Sequence, residues 1–380
     1  MSRRIRVAHV VLDLESGGLE RMVADLVRNT DRERFEMHLV ALDFLGRNAE
    51  GLEDFATLHV APPLPFWTMV WPAPLVRLFK TVAPDVIHTH SGVWYKASLA
   101  ARRAGVPRVV HTEHGRPLWP YPWRDRLVDR IAAQRTDAVA AVSEDVARQL
   151  AAGIVTDRAT LRVIPNGVAT RRFAPLPDDG ELRRELGIPL DVPIIGSIGR
   201  FDPIKGYDVV LRAFQRCRAD WPGLPTPAPV LALAGDGPER GALESLAVEL
   251  GVLDEVRFLG WRDDVGTLLR AFTVFTLGSR SEGTSIGLLE AMSAGLCPVV
   301  TDVGGNGAVL GERLKGRLVR TEDPEALAQA WRLALLDDGG RAADGRAARA
   351  RVEQSFSLET MVRSYERLYL GTAGGGPPGA

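Results

Sequence analysis

The chain has 380 residues, of which 46% are hydrophobic and 25% charged, and its formal net charge is −1 at pH 7. These values indicate a globular protein with room for two domains, and the balanced charge argues against a nucleic-acid-binding protein, which carries a basic excess. Cys217 and Cys297 form no CxxC pair and no metal-binding cluster, which indicates a reducing compartment. Because no apolar run approaches the roughly 20 residues of a transmembrane helix, a cytoplasmic location is expected.

Short apolar runs alternate with amphipathic stretches in the first half of the chain. Strands are predicted in IRVAHVVLDL, FEMHLVALD, DVIHTH, RVVHTEH and DAVAAVS, and a helix in LERMVADLVRN. Continuous β-branched runs suit strands that are buried on both faces of a parallel sheet. The stretch RVIPNGVATRRFAPLPDDG breaks this pattern with Pro, Gly and polar residues, and it predicts a linker near residues 165–180.

The alternation restarts after this linker with PIIGSIGR, PVLALAGDG, VRFLGW, VFTLGS and CPVVTDV. We therefore predict an α/β protein with two parallel-sheet domains, residues 1–172 and 173–356, facing a central cleft. Ligands are expected at the carboxyl ends of the strands. Residues 357–370 are predicted to form a helix that packs on either domain, and the Gly/Pro-rich residues 371–380 to be disordered.

A glycine pair, Gly17 and Gly18, separates the first strand from the first helix. Glycines at this place let backbone N–H groups approach an anion at the helix N-terminus, although a simple tight turn is an equal alternative. Asp43 at the end of the second strand would bind a ribose in a dinucleotide fold. This keeps an NAD-dependent oxidoreductase open, but the third glycine of that motif is missing.

Four histidines end two neighbouring strands: His88 and His90 in DVIHTH, and His111 and His114 in VVHTEHG. The spacing in HxH places both side chains on one face of a strand. No acidic residues complete a metal site, and the sequence contains no Asp-x-Asp. We therefore predict no metal and expect one histidine to contact the substrate instead.

Two cations, Arg200 and Lys205, lie five residues apart in the loop after the strand PIIGSIGR. An arginine fork and a mobile lysine charge together can clamp a diphosphate. The alternative is an ordinary solvated loop.

Two acids lie eight residues apart in SRSEGTSIGLLEAMSAG. Thr284 or Ser285 is predicted to cap a helix that ends at Gly295, which leaves Glu282 in the preceding loop and Glu290 within the helix. A partly buried carboxylate needs hydrogen-bond donors, and sugar hydroxyls are such donors. The alternative is that Glu282 complements the helix dipole and Glu290 pairs with an arginine.

The order of these motifs resembles the family-4 retaining glycosyltransferases of GT-B fold. It comprises the glycine pair, T-x-H, PNGV, GR…KG, AGDGPE, FLG and Glu-x7-Glu, and the likeness covers nearly the whole chain, most closely from Arg200 to Gly305. The resemblance implies an N-terminal acceptor domain and a C-terminal donor domain, both Rossmann-like. It implies transfer from a nucleotide-diphosphate sugar, UDP-linked, to a hydroxyl acceptor with retention, in polysaccharide or glycolipid synthesis, without a metal or further cofactor. A sugar-nucleotide epimerase of the same fold and a non-catalytic nucleotide-sugar binder stay open.

The resemblance also implies roles for individual residues. Glu290 would hold the nucleotide ribose, Glu282 would contact the donor sugar, Arg200 and Lys205 would clamp the diphosphate, and His114 would lie beside the sugar. FLGWRDDV would meet the base. The remaining donor-binding positions act through their backbone: Gly17 and Gly18 in the first domain, and Gly283, Thr284, Ser285 and Ile286 in the second.

The chain departs from the family pattern at two places. Thr284 and Ser285 stand where many members have an aromatic residue and a glycine, so the identity of the sugar is left open. Ala169 follows PNGV where an aspartate is frequent, and no role is assigned to it.

Two stretches of the first domain, APPLPFWTMVWPAPLVRLFK and HGRPLWPYPWRDRLVDR, mix tryptophan with proline and basic residues. Tryptophan favours membrane interfaces, and Lys and Arg favour anionic head groups. We hypothesise peripheral contact with the inner face of a membrane, or a lipid-linked acceptor; an equally supported alternative is that the tryptophans cap the domain core. The residues concerned are Trp67, Trp71, Arg77, Lys80, Arg116, Trp119, Trp123, Arg124 and Arg126.

Overall fold

The computed structural model describes residues 3–15, 17–64, 68, 70–115, 121–157, 160–221, 223–224 and 226–371. The predicted disorder of residues 371–380 therefore concerns positions that, apart from Gly371, lie outside the described residues.

The chain divides into two compact units, Met1–Gly167 with Leu358–Ala380 (unit 1) and Val168–Ser357 (unit 2). The division falls a few residues before the boundary predicted at residue 172.

Unit 1 is built on a seven-stranded parallel sheet with the strand order β3-β2-β1-β4-β5-β6-β7. Its strands are β1 Ile5–Val11, β2 Phe35–Ala41, β3 Ala56–Val60, β4 Val86–His90, β5 Arg108–Glu113, β6 Ala138–Ala141 and β7 Leu161–Val163. The helices between them are α1 Gly18–Asn29, α2 Ala73–Val82, α3 Trp94–Ala104, α4 Trp123–Ala133 and α5 Glu144–Ala151.

The two faces of the unit 1 sheet differ in chemistry. Because side chains alternate along a strand, Ala8 and Val10 of β1 join an apolar cluster with α2 and α3, while His9 lies on the opposite face. In the parallel register His9 is beside His88 of β4, and His90 is beside Thr112 of β5. The sequence therefore places buried polar side chains on one face of the sheet.

Unit 2 is built on a six-stranded parallel sheet with the order β10-β9-β8-β11-β12-β13. Its strands are β8 Ile194–Ile198, β9 Val230–Ala234, β10 Val256–Gly260, β11 Val274–Leu277, β12 Cys297–Thr301 and β13 Leu318–Val319. Its helices are α6 Glu181–Leu186, α7 Tyr207–Ala219, α8 Arg240–Glu249, α9 Val265–Ala271, α10 Ile286–Ser293, α11 Asn306–Leu310, α12 Pro324–Leu336 and α13 Asp338–Ser355.

Both faces of the unit 2 sheet are covered by apolar side chains. Successive residues go to opposite clusters, as Ile194 and Ile195 do, which explains the continuous apolar runs in the sequence. Gly345 of α13 lies so close to α10 that a Cβ there would be 2.0 Å from the Gly295 carbonyl oxygen. The two predicted Rossmann-like α/β domains are confirmed.

The last helix, α14 Leu358–Leu370, belongs to unit 1. Arg108 of β5 donates from Nε to the Leu368 carbonyl at 2.9 Å, and Glu366 accepts from the Asp31 backbone N–H at 2.9 Å. Tyr365 and Tyr369 turn inward and are buried. This helix therefore covers the polar face of the unit 1 sheet.

Among the described residues, no helix combines the length and the apolar character that a membrane span requires.

Candidate functional site

Two glycines bring the loops after β8 and β11 into contact in unit 2. Gly206 has φ +61°, and a Cβ there would lie 2.1 Å from the Gly278 carbonyl oxygen. A Cβ on Gly278 would in turn meet the Gly206 carbonyl oxygen at 2.8 Å. Side chains at either position would separate the loops, because real Cβ atoms do not approach backbone this closely.

This close approach pairs two of the predicted site residues. Lys205 Nζ donates to both carboxylate oxygens of Glu282, at 2.8 and 3.0 Å, and Ser279 Oγ donates to Glu282 Oε1 at 2.7 Å. Glu282 is 9% exposed. Charge-assisted bonds of this kind are short and strong, so the carboxylate is held in one orientation. Neither sequence interpretation of Glu282 predicted this pairing.

The backbone around Glu282 packs against the end of β12 and the loop that follows it. A Cβ on Gly304, which has φ +54°, would lie 1.7 Å from the Glu282 carbonyl oxygen. The Gly305 N–H donates to the Gly283 carbonyl at 2.9 Å, and Thr301 Oγ1 donates to the Ser279 carbonyl at 2.7 Å. The loop from Ser279 to Gly283 is therefore held by packing and hydrogen bonds to β12 and to the loop that follows it.

Helix α10 begins where the sequence predicted. Ser285 is the N-cap and accepts from the Leu288 N–H at 3.4 Å, and Gly295 follows the helix with φ +78°. Thr284 beside the cap is buried, and Ile286 is the first helical residue. Glu290, in the middle of the helix, is 2% exposed. A helix N-terminus presents N–H groups and a positive dipole end, so Gly283 to Ile286 lie where an anion is favoured.

Arg200 and Lys205 lie in the same loop but differ in environment. The Arg200 side chain is 59% exposed and pairs with Asp202, whereas Lys205 is tied to Glu282. Asp202 also caps the short 3₁₀ turn Pro203–Lys205 by accepting from the Ile204 N–H at 3.3 Å. The diphosphate clamp stays a prediction. To bind a phosphate, each cation would have to give up part of its ion pair with Asp202 or Glu282.

Arg280 is a site residue that sequence reasoning missed. It donates to both carboxylate oxygens of Asp208 at 2.9 and 2.8 Å and to the Pro203 carbonyl at 2.6 Å, and it pairs with Glu322. It therefore fastens the β11 loop to the turn that carries Lys205. An arginine between two serines in SRSEG gives no sequence signal that separates this role from a solvated surface.

The segment FLGWRDDV, predicted to meet a base, begins in the last residues of β10 and continues beyond the strand. Gly235 donates to the Gly260 carbonyl at 2.8 Å, and Trp261 donates from Nε1 to Asp263 at 3.0 Å. Arg262 pairs with Glu185 and Asp264. Trp261 keeps 43% of its surface exposed, and contact with a base stays a prediction.

The glycine pair of unit 1 forms the entry to α1. Gly18 is the first helical residue, and Gly17 takes the N-cap position with φ +149°. A Cβ on Gly17 would lie 2.3 Å from Glu20 Oε2. The Glu20 carboxylate thus lies over the turn that was predicted to receive phosphate, so an anion binding there would have to displace this side chain.

His114 and His111 have different surroundings. His111 stacks on Trp94 with ring centroids 3.8 Å apart, and Thr89 Oγ1 lies 2.9 Å from its Nδ1. His114 follows β5; its backbone N–H donates to Ser91 Oγ, and its Nε2 lies 3.0 Å from His90 Nδ1. Burial lowers the pKa of His114 to about 3, so the ring is neutral at physiological pH.

A cavity of about 750 Å³ opens at the carboxyl ends of the unit 1 strands. Its lining includes Asp43, Trp94, Lys96, His111 and Glu113. Ser91 Oγ donates to Glu113 Oε1 at 2.6 Å. A cavity of this size with aromatic and charged walls can hold one or two sugar rings.

Three buried histidines come close enough to raise the question of a metal. Among the described residues, His9, His88 and His90 offer ligand nitrogens within 4.8 Å of one another. Each of these nitrogens, however, already lies within hydrogen-bond distance of a neighbouring side chain. Distance alone therefore assigns no metal here.

Trp71 and Trp123 do not cap the core of unit 1. Trp71 is 53% exposed beneath the Arg103 guanidinium, 4.3 Å from the ring centroid, and Trp123 is 70% exposed at the start of α4. Leu127, one turn further along α4, is 51% exposed. For these two tryptophans the core-capping alternative is wrong. Three further members of the predicted surface, Trp67, Arg116 and Trp119, lie outside the described residues.

Comparison with known proteins decides the family. Residues 16–172 match the model described as Glycosyltransferase Family 4, and residues 178–351 match Glycosyl transferases group 1. A glycosyltransferase of Bacillus subtilis, EpsF, is 31% identical over an alignment of 319 residues that covers 79% of this chain and 80% of EpsF. The chain belongs to glycosyltransferase family 4. The recognition made from the motif order is confirmed.

Other relatives span nearly the whole glycosyltransferase chain. The UDP-Gal:alpha-D-GlcNAc-diphosphoundecaprenol alpha-1,3-galactosyltransferase of Escherichia coli is 26% identical over 384 residues, covering 97% of both chains. The crystal structure of Anabaena HepE in complex with UDP and glucose superposes with a TM-score of 0.81 at 23% identity, covering 97% of this chain and 100% of HepE. The fold is GT-B.

Proposed function

We propose that this glycosyltransferase moves a sugar from a UDP-sugar to a hydroxyl acceptor with retention and without a metal. The observation that carries the proposal is Lys205, whose ammonium is held at 2.8 Å from Glu282 beside the N-terminus of α10. A cation and a helix N-terminus at adjoining strand ends favour a diphosphate. UDP is part of the name of the E. coli relative and is the ligand named for the HepE complex. Both support UDP as the nucleotide of the donor.

Each predicted donor contact has a chemical role in this scheme. The nucleotide ribose presents a vicinal diol to Glu290, and the sugar presents hydroxyls to Glu282. The acceptor oxygen bonds to the anomeric carbon as the bond to the diphosphate breaks, and a donor phosphate oxygen takes the acceptor proton. Negative charge grows on the leaving UDP, where Lys205 and Arg200 stabilise it.

Product analysis tests the proposal. The purified protein is incubated with UDP-glucose, UDP-galactose and UDP-N-acetylglucosamine, with and without a hydroxyl acceptor, and NMR follows the anomeric proton coupling. Retention predicts an α-linked product from an α-linked donor, with UDP released. An inverted product overturns the mechanism, and an epimerised nucleotide sugar formed without acceptor supports the epimerase. Binding of NADH followed by its fluorescence would expose an oxidoreductase, which the family match disfavours.

We also propose a lipid-linked acceptor and peripheral contact with the inner face of a membrane. The exposed Trp71 and Trp123 support this, together with Arg124 and Arg126 in the exposed first turns of α4. The name of the E. coli relative contains a diphosphoundecaprenol acceptor, which is consistent with the proposal. Such a protein would sit in the cytoplasm beside the membrane.

A further inference from the structure

A row of hydrogen-bonded side chains runs through unit 1 from the end of β5 to α14, and all but the first are buried among the core. None of these contacts was expected from the sequence. In spatial order the row, termed the relay, consists of His114, His90, His9, Tyr369, His88, Thr112 and Tyr365.

The first half of the relay is a chain of three imidazoles. His114 Nε2 lies 3.0 Å from His90 Nδ1, and His90 Nε2 lies 3.0 Å from His9 Nδ1. The rings of His90 and His9 stack almost parallel, with an interplanar angle of 9°. Both nitrogens of His90 are therefore used inside the relay.

The second half passes through the C-terminal helix and returns to the sheet. The Tyr369 hydroxyl lies 3.4 Å from His9 Nε2, the longest link, and 2.9 Å from His88 Nδ1. His88 Nε2 lies 2.7 Å from Thr112 Oγ1, which donates to the Tyr365 hydroxyl at 3.2 Å. Both nitrogens of His9 and of His88 are used as well.

Burial makes each imidazole in the relay neutral. It lowers the pKa of His9 and of His114 to about 3, and it lowers the pKa of His88 and of His90 well below the ordinary value. A neutral imidazole has one N–H donor and one bare acceptor nitrogen. Every ring in the row must therefore donate on one side and accept on the other, so one direction holds along the whole relay.

The far end of the relay sets that direction. With Thr112 as the donor to the Tyr365 hydroxyl, the Thr112 oxygen accepts from His88 Nε2–H. His88 Nδ1 then accepts from the Tyr369 hydroxyl, which accepts from His9 Nε2–H. By the same alternation His9 Nδ1 accepts from His90 Nε2–H, and His90 Nδ1 accepts from His114 Nε2–H. All four rings are then Nε2–H tautomers, the form that free histidine also prefers.

We propose that the relay holds His114 as its Nε2–H tautomer, so that the bare Nδ1 accepts a hydrogen bond from a substrate hydroxyl and disfavours a phosphate. Within the described residues, Nδ1 of His114 is buried and has no hydrogen-bond partner, whereas the other relay imidazoles use both nitrogens. His9, His90, Tyr369 and Thr112 are positioning residues. The identity of the hydroxyl as a sugar hydroxyl rests on the proposed function; the tautomer does not.

Long-range ¹H–¹⁵N NMR of protein labelled with ¹⁵N-histidine tests the tautomer directly. In the wild-type protein at pH 7.5, His114 should show a bare Nδ1 and a protonated Nε2. Thr112→Val removes the acceptor of His88 Nε2–H, and Tyr369→Phe removes that of His9 Nε2–H. Either change removes an acceptor that favours the Nε2–H form along the relay, so a form of His114 with a protonated Nδ1 should become detectable.

Thr112→Ser is the matched control, since it keeps the hydroxyl and should keep the wild-type tautomer. Unchanged ring signals of His38 and His59, which lie elsewhere in unit 1, show that each variant is folded. A protonated Nδ1 in the wild-type protein overturns the proposal. So does a His114 tautomer that stays the same in both Thr112→Val and Tyr369→Phe.

Kinetics separate this inference from the proposed function. In Tyr369→Phe the kcat should fall about tenfold, the loss expected for one hydrogen bond, while the Kd for UDP is unchanged. If no UDP-sugar is turned over by the wild-type protein, the proposed donor is wrong, but the NMR result still decides the relay.

Discussion

Lys205 Nζ bridges both carboxylate oxygens of Glu282, 77 residues away in the sequence, at 2.8 and 3.0 Å. The pair joins the loops after two neighbouring strands of unit 2. The Glu282 side chain is 6% exposed and that of Lys205 is 26% exposed, so removing either partner leaves a poorly solvated charge. Glu282 therefore fixes the position of the ammonium, and a diphosphate bound at this loop would share it with Glu282.

Lys205→Ala should lower kcat by about 10²–10³, the loss expected for one electrostatic donor in an active site. It should also lower Tm, because the buried Glu282 carboxylate loses its counter-charge. Adding Glu282→Gln should recover part of the Tm but none of the rate. Steady-state kinetics and thermal melts measure both effects. Arg212→Ala, at an exposed position of α7, is the matched control. If the Lys205→Ala enzyme is as fast as this control, Lys205 does not clamp the diphosphate.

Glu290→Ala should raise the Kd for UDP by about tenfold or more while the protein stays folded, because charge-assisted hydrogen bonds contribute about 1.5–3 kcal/mol each. Calorimetry with UDP measures the change, and Glu249→Ala, exposed at the end of α8, is the control. If both variants bind UDP as tightly as the wild-type protein, Glu290 does not hold the ribose.

The local signals in the sequence predicted α10 closely, because a capping serine and a terminal glycine act within one segment. Ser285 and Gly295 are such residues. The pairing of Lys205 with Glu282 depends instead on Gly206 and Gly278, whose close approach is a tertiary fact. In the sequence, a glycine that follows a strand gives the same signal whether it permits a turn or permits the close approach of another loop. Periodicity and spacing therefore could not predict this contact.

The histidines show the same limit in unit 1. The HxH spacing predicted that His88 and His90 share one face of β4, and their ring centroids are 4.2 Å apart. It could not predict Tyr369, which comes from the other end of the chain and completes the hydrogen bonding. Partners so distant in sequence leave no short-range pattern.

Activity should survive an excess of EDTA over the trace metal of the assay buffer. The physical reason is that Lys205, Arg200 and the N-terminus of α10 supply positive charge to the diphosphate. The assay compares initial rates before and after chelation and again after adding Mg²⁺ or Mn²⁺. Complete loss that either ion restores would contradict the metal-free mechanism.

The stability of unit 1 should fall as the pH is lowered below about 6.5. The pKa of His9 is lowered to about 3 by burial, whereas in the unfolded chain a histidine titrates near 6.5. Between these values the unfolded state binds more protons, so the stabilisation is complete above pH 6.5 and is lost progressively toward pH 3. Each such histidine contributes a slope of up to about 1.4 kcal/mol per pH unit.

Urea unfolding at pH 7.5, 6.5 and 5.5 measures this dependence through the transition midpoint. His9→Asn should flatten it, since one buried imidazole is removed. His59→Asn, at a half-buried position, should change it less. A midpoint that does not move between pH 7.5 and 5.5 would contradict the predicted loss of stability from the buried histidines.

Trp123→Ala and Trp71→Ala should each weaken binding to vesicles that contain anionic lipid, because each removes an exposed indole that favours the membrane interface. Binding should also weaken between low and physiological salt, as expected for Lys and Arg near head groups. Flotation measures both, and neutral vesicles are the control. Absence of binding to anionic vesicles at low salt would reject the membrane contact.

Gly345, which was assigned no role in binding, limits which residues the sequence can carry at that position. Any larger residue there would push α13 away from Gly295, which ends the helix that carries Glu290. A mutational library confined to strand-end loops would miss this position, and a screen for lost activity would report it as an apparent remote effect. Tolerance to substitution in this enzyme is therefore set partly where α13 packs against the end of α10 in unit 2.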